Sequence, residues 1–143
     1  MPVRNASSKW QGSLEAVSGE VEFTSSKLPN VNVSFPRRAA DDAQGVTSPE
    51  ELIAAAHASC FAMQFSALIG AAGGEVETLN VSAAVHLGPD GQGGFEIPKI
   101  ELTVSGNASG ISAEQFEQIA GQAKETCPVS KALAGTNISL TVN

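Results

Sequence analysis

Basic residues are scarce. Lys and Arg total 8 against 15 Asp and Glu, for a formal net charge of -7, and only Arg37 and Arg38 stand side by side. A surface that gathers phosphate groups is therefore not expected, and nucleic acid is not an expected partner. Cysteine is nearly missing too. The 2 residues, Cys60 and Cys127, form no C-x-x-C pair, which argues against a structural zinc site or a thioredoxin-like motif. Tyrosine is absent. No linker, repeat or low-complexity segment divides the 143 residues, so residues 1–143 are read as a single domain. The longest apolar run, Leu52 to Leu68, is interrupted by His57 and Gln64. It reads as too short and too alanine-rich for a membrane span. The opening stretch MPVRNASSKWQGS has no apolar core of the kind a signal peptide needs. These absences lead us to expect a cytoplasmic protein without membrane contact. In that reducing compartment two cysteines are working thiols or buried small residues rather than a permanent staple.

What is present describes a globular α+β chain. Hydrophobic residues make up 42% of it, enough to build a core without staples. KWQGSLEAV and GEVEFTS read as strands joined through Ser18 and Gly19, and NVNVSF (30–35) as a third strand ended by Pro36. Residues 37–47 read as a polar loop. Ser48, Pro49 and Glu51 then form a helix start, with an S-x-x-E capping box and proline at the first helical position. This long helix runs to about Gly70. Apolar residues lie nearly all round it, so burial on most sides is expected, with a second copy of the chain covering what one domain leaves bare. Two long strand segments follow, 75–87 and 95–106, separated by the turn GPDGQGG. Pro98 predicts an edge or a bulge in the second. Ser112 and Gln115 open another capped helix, with Phe116, Ile119, Ala120 and Ala123 on one face, and Pro128 ends it near Cys127. PVSKAL reads as a short helix and TNISLTV as the last strand. Strands and helices are segregated along the chain, hence α+β.

The two thiols differ in setting. Cys127 precedes Pro128 at the start of a short helix, where unpaired N–H groups and the helix dipole favour a thiolate. Cys60 is mid-helix among apolar residues, so its pKa is expected to be raised unless a permanent cation approaches. On these grounds alone Cys60 is the better candidate for a space-filling residue. A metal bound by His57, Cys60 and His86 is not expected, and no cofactor is. Arg37 and Arg38 are the candidate cations, with a solvated loop pair as the alternative. Glu51 is committed to the capping box, which leaves Glu50 free for an arginine. Glu50 lies ten residues before Cys60, about 15 Å of helical rise, so a Glu50 serving a Cys60 site would come from a partner chain.

SPEELIAAAHASCFAM resembles the central helix of the OsmC/Ohr family (osmotically inducible protein C, organic hydroperoxide resistance). FEQIAGQAKETCPVSKAL resembles that family's second cysteine region. The likeness covers essentially the whole chain. AAHASCF and an arginine after the third strand are similar to the OsmC branch. The resemblance implies antiparallel sheets wrapped around a long central helix, in an intertwined homodimer with active sites at the dimer interface. It implies a peroxidase that turns organic hydroperoxides into alcohols through a sulfenic acid and a disulfide. In that pattern Cys60 is the attacking thiol, Cys127 the resolving thiol, Glu50 the family's glutamate and Arg38 the arginine, with Arg37 the alternative. The motif reads S-P-E here where the family has N-P-E. Leu52, Phe61, Met63 and Phe65 are candidate walls for an organic substrate, and a dithiol on a lipoylated protein is the implied reductant. The alternatives are a non-enzymatic protein of this fold that binds an apolar ligand or senses oxidation, and a structural stress protein with inert thiols. His57 is expected to pack or to hydrogen-bond within the helix pair.

Overall fold

A computed structural model describes residues 1–143. The chain divides into two compact units, Met1–Leu52 and Ile53–Asn143.

The first unit contains a three-stranded antiparallel sheet of β1 (Ser7–Lys9), β2 (Gly19–Glu22) and β3 (Val31–Val33), in that order. β1 is shorter than expected and lies further towards the N-terminus. Residues 10–18 carry no strand, and Gly12 adopts φ 94°, a left-handed conformation that breaks extended pairing. The two strands are therefore not joined by a tight turn at Ser18 and Gly19. Gly19 has a different task. A Cβ there would strike the Trp10 indole, so glycine is what lets the ring lie over β2. The polar loop expected from residue 37 is also interrupted. Phe35–Arg38 form a helical turn, α1, because Pro36 sits at its N-terminus, where its fixed φ and missing N–H cost nothing. Arg37 and Arg38 occupy its last turn.

α2 (Pro49–Ala71) starts where the capping pattern predicts. The Glu51 N–H donates to Ser48 Oγ at 3.1 Å. The Glu51 carboxylate, however, accepts from the Thr47 hydroxyl. Within one chain only a stripe of α2 is buried, marked by His57, Phe61, Phe65 and Ile69, and the rest of the burial expected on most sides is the share expected from a second copy. Met63 is 69% exposed. α2 is also long and apolar enough to pass for a membrane span, with a mean hydropathy of 1.6, so length and composition do not exclude one as expected. The Phe61, Phe65 and Ile69 stripe is instead committed to a protein core.

In the second unit β4 (Glu75–Val85), β7 (Lys99–Ser109) and β8 (Asn137–Val142) form a sheet in the order β4-β7-β8. β4 pairs antiparallel with β7, with a bulge between Val76 and Thr78. β8 runs parallel to β7, which the sequence did not announce. The helices α3 (Ala113–Thr126) and α4 (Pro128–Ala132) supply the crossover that parallel pairing requires. The expected strand at 95–106 is broken. β5 (Gly88–Pro89) and β6 (Phe95–Glu96) form a small hairpin, and β7 starts one residue after Pro98. Asp90 closes that turn by accepting the N–H groups of Gln92 and Gly94.

The core gathers Phe61, Phe65 and Ile69 of α2, Leu102 and Val104 of β7, and Phe116, Ile119, Ala120 and Ala123 of α3. Each large side chain withdrawn from water here contributes about 1.5–3 kcal/mol. The α3 capping box is complete, with Ser112 and Gln115 each accepting the other's backbone N–H. Cys127 ends α3 and begins α4, with Pro128 in the first helical turn.

Candidate functional site

Two clusters hold the residues singled out by the sequence, one in each unit. In the first, Arg38 meets Glu50. Arg38 Nε lies 3.1 Å from both carboxylate oxygens, and Nη2 donates to Oε1 at 2.6 Å. Such a fork fixes the guanidinium plane as well as its position. Glu50 is only 7% exposed. Burial pushes its carboxyl up, but the Arg38 hydrogen bonds, its own N–H and Ser48 outweigh this and hold it below the usual range. The carboxylate in turn raises the Arg38 pKa, against a smaller opposing effect of burial, so the cation is permanent. Arg37 makes no ion pair, and of the two arginines it is Arg38 that Glu50 holds. Arg38 also lines an apolar cavity of about 120 Å3 with Trp10, Leu14, Val33 and Phe35. Neither Trp10 nor Leu14 was singled out from the sequence. An isolated tryptophan on an otherwise polar stretch was the available signal.

The second cluster lies where α2 meets the junction of α3 and α4. His57, Cys60 and Gln64 recur at helical spacing on one face of α2, and each has a partner. His57 Nε2 is 2.8 Å from Ser130 Oγ. The Cys60 and Cys127 sulfurs are 3.2 Å apart, both as free thiols. Gln64 Nε2 donates to Thr126 Oγ1 at 2.9 Å. Cys127 is fully buried, whereas Cys60 is partly exposed.

The thiols are tuned in opposite directions. Burial, with Cys127 adding to it, pushes the Cys60 thiol up against one opposing N–H from Val129. Burial also acts upward on Cys127. The Ser130 N–H, Cys60, the Ser130 hydroxyl and the Val129 N–H together overcome it and bring the Cys127 thiol below its ordinary value. His57 is fully buried, and burial lowers its pKa, so the ring is neutral near pH 7. Its Nδ1 has no hydrogen-bond partner. An orphaned buried polar atom costs about 1–3 kcal/mol and calls for a reason.

Ser130 was missed in the sequence. Its signal is the C-P-x-S spacing, which puts a hydroxyl three residues after the helix-starting Cys127. The expected walls Phe61 and Phe65 are core residues, fully buried, with their rings tilted against each other at 5.7 Å between centroids and Phe65 edge-to-face with Phe116 at 4.8 Å. They pack against the α3 stripe of Phe116, Ile119, Ala120 and Ala123 in the core.

Known proteins carry the same framework. The family model for OsmC-like protein matches residues 41–143, a stretch that contains Glu50, Cys60 and Cys127. The chain belongs to the OsmC-like family. It is 37% identical over 124 residues to Peroxiredoxin OsmC of Escherichia coli K12, covering 87% of this chain and 85% of that protein. It is 34% identical over 130 residues to organic hydroperoxide resistance protein-like 1 of Staphylococcus saprophyticus, covering 88% and 86%. Among solved structures, an organic hydroperoxide resistance protein OsmC from Legionella pneumophila superposes with a TM-score of 0.80 at 25% identity, covering 100% of this chain and 98% of that one. The OsmC-like fold, a mixture of helix and sheet with a central helix, follows.

Proposed function

We propose that this OsmC-like protein is a thiol-dependent peroxidase that reduces organic hydroperoxides to alcohols and, more weakly, hydrogen peroxide to water. The observation that carries this reading is the 3.2 Å approach of the Cys60 and Cys127 sulfurs. Two thiols at that separation close to a disulfide by a small side-chain movement. The Cys60 thiolate attacks the distal peroxide oxygen. The O–O bond breaks, the alkoxide takes a proton to leave as an alcohol, and Cys60 becomes a sulfenic acid. Cys127 then displaces hydroxide from the Cys60 sulfur, and water and a disulfide result.

Burial opposes a Cys60 thiolate, so the reaction needs a cation. Arg38, held by Glu50, is our choice. By the rise of α2 from Glu50 to Cys60, that pair serves Cys60 of a second copy. An apolar face of α2 that is exposed in one chain, with Ala55, Ala56 and Met63 on it, supports a homodimer. The cavity of Trp10, Leu14, Val33 and Phe35 beside Arg38 suits an alkyl group and favours organic peroxides. A dithiol carried on a lipoylated protein returns the disulfide to thiols, in the cytoplasm. A second reading, an oxidation sensor without turnover, is favoured by the raised Cys60 pKa.

The test is to mix reduced protein with cumene hydroperoxide and count thiols. Rapid loss of both, with sulfenic acid trapped in Cys127→Ser and turnover abolished in Cys60→Ser, supports the peroxidase. Intact thiols in the native protein sink it, and one oxidation without turnover on added dihydrolipoamide selects the sensor.

A further inference from the structure

We propose that His57 and Ser130 form a buried hydrogen-bond chain that ends on the Cys127 sulfur and holds it as the thiolate of the resolving step. The inference rests on the peroxidase reading. It assigns Ser130 as a residue touching a reacting atom and His57 as a positioning residue acting through it.

The two helices present matching pairs. His57 and Cys60 are three residues apart on α2, and Cys127 and Ser130 are three apart at the start of α4, so histidine faces serine as thiol faces thiol. His57 and Cys127 are fully buried and Ser130 is 7% exposed, so water competes little for these contacts. Under such conditions a hydrogen bond to a charged sulfur is stronger than in water.

The orphaned Nδ1 sets the direction of the chain. Burial keeps the ring neutral, so one nitrogen carries a proton and the other a bare lone pair. Buried N–H groups without an acceptor are rarer than acceptors without a donor. We therefore place the proton on Nε2. Nε2–H then donates to Ser130 Oγ, and we place the Ser130 hydroxyl hydrogen on Cys127 Sγ, since Cys127 is the N-cap of the helical turn on which Ser130 is the third residue. A serine alone could rotate its hydrogen elsewhere. The histidine removes that freedom and pre-orients the donor at the sulfur.

In the resolving step the Cys127 thiolate pair attacks the Cys60 sulfenic sulfur, the S–S bond forms and the S–O bond breaks. The departing hydroxide takes a proton from solvent and leaves as water, which balances the proton released to solvent when Cys127 ionised. The chain favours the same group in reverse. When a dithiol reduces the disulfide, the sulfur held as a thiolate is the better leaving group. The partly exposed Cys60 is then the sulfur attacked, and the mixed disulfide forms there.

Two measurements test this. The first titrates the Cys127 thiolate by its ultraviolet absorbance in Cys60→Ser, where His57 is the titratable side chain hydrogen-bonded to Ser130, and Lys124, Glu125 and Lys131 line the same cavity as Ser130. Adding Ser130→Ala or His57→Leu should lower the thiolate fraction near neutral pH roughly tenfold, one pKa unit. The second follows wild-type sulfenic acid formation and its collapse to disulfide after one equivalent of peroxide. Ser130→Ala and His57→Leu should lower the ratio of the second rate to the first by about the same tenfold factor. His57→Gln, which presents an amide N–H in place of Nε2–H, and Ser130→Thr, which keeps the hydroxyl, should restore both readouts. A simple packing role predicts no such rescue. Unchanged thiolate fractions in folded Ser130→Ala overturn the chain. If that variant does not fold, failure of Ser130→Thr and His57→Gln to keep the wild-type values overturns it. The titration uses no peroxide, so absence of sulfenic acid in the wild type would remove the peroxidase reading while the titration still decides the chain.

Discussion

The Cys60 and Cys127 sulfurs lie 3.2 Å apart although 67 residues separate them in sequence. The helix α2 brings one and the junction of α3 and α4 the other. Closing a disulfide across a loop of this length restricts the unfolded chain. By the loop-entropy relation it stabilises the fold by about 4 kcal/mol, less any strain. Treatment with diamide should therefore shift the urea midpoint of the wild type upward and leave Cys60→Ser unmoved. An unchanged wild-type midpoint after complete thiol loss would contradict the fit of the two sulfurs to one bond.

The Arg38–Glu50 fork makes stability depend on acid. The Glu50 carboxyl, ordinarily near 4.5, titrates lower in the folded chain. Its contribution is fully present above the unfolded value and is lost as pH falls through the depressed folded one. Glu50→Gln should cost about 1.5–3 kcal/mol near neutral pH, the range for hydrogen bonds to a charged group. Wild type and variant should converge under acid. Parallel denaturation series across pH check this, and a gap that stays constant would refute the pair's role.

Phe65 is fully buried and touches both Phe61 and the edge of Phe116. Phe65→Ala removes the ring from the centre of the second unit. It should cost about 3–5 kcal/mol, measured by chemical denaturation.

The exposed side of α2 carries Ala56 and Met63, the latter 69% exposed. If a second copy covers this face, Met63→Glu should shift the sedimentation of the wild-type dimer towards monomer, because a carboxylate there would be buried unpaired. A wild type that sediments as a monomer would remove both the dimer and the shared site.

Much of this was readable from local signals. Ser112 and Gln115, Pro128 after Cys127, and Ser48 before Pro49 act within one turn of backbone, and each placed its helix end correctly. The α3 core stripe was equally plain. The failures involve competing local rules. Pro36 reads as a strand stop, but proline also starts helices, and α1 is the result. The stretch after Lys9 has strand-like residues, yet Gly12 at φ 94° turns the chain out of the sheet. The parallel partnership of β7 and β8 is set by a crossover and leaves no periodic trace in either strand. At the site, both thiols, Arg38 and Glu50 were visible as residue types. The Ser130 hydroxyl was not, because its meaning depends on a histidine 73 residues away.

The closeness of the two sulfurs also bears on survival under heavy oxidant load. On the peroxidase reading, a sulfenic acid on Cys60 has two fates: capture by Cys127, or a second peroxide that drives it to the irreversible sulfinic acid. Capture is an intramolecular race whose runner starts at the finishing line, while overoxidation must wait for a collision. The wild type should thus tolerate far more peroxide before sulfinic acid is seen by mass spectrometry than Cys127→Ser does. On that reading, pre-positioning lengthens the working life of each molecule.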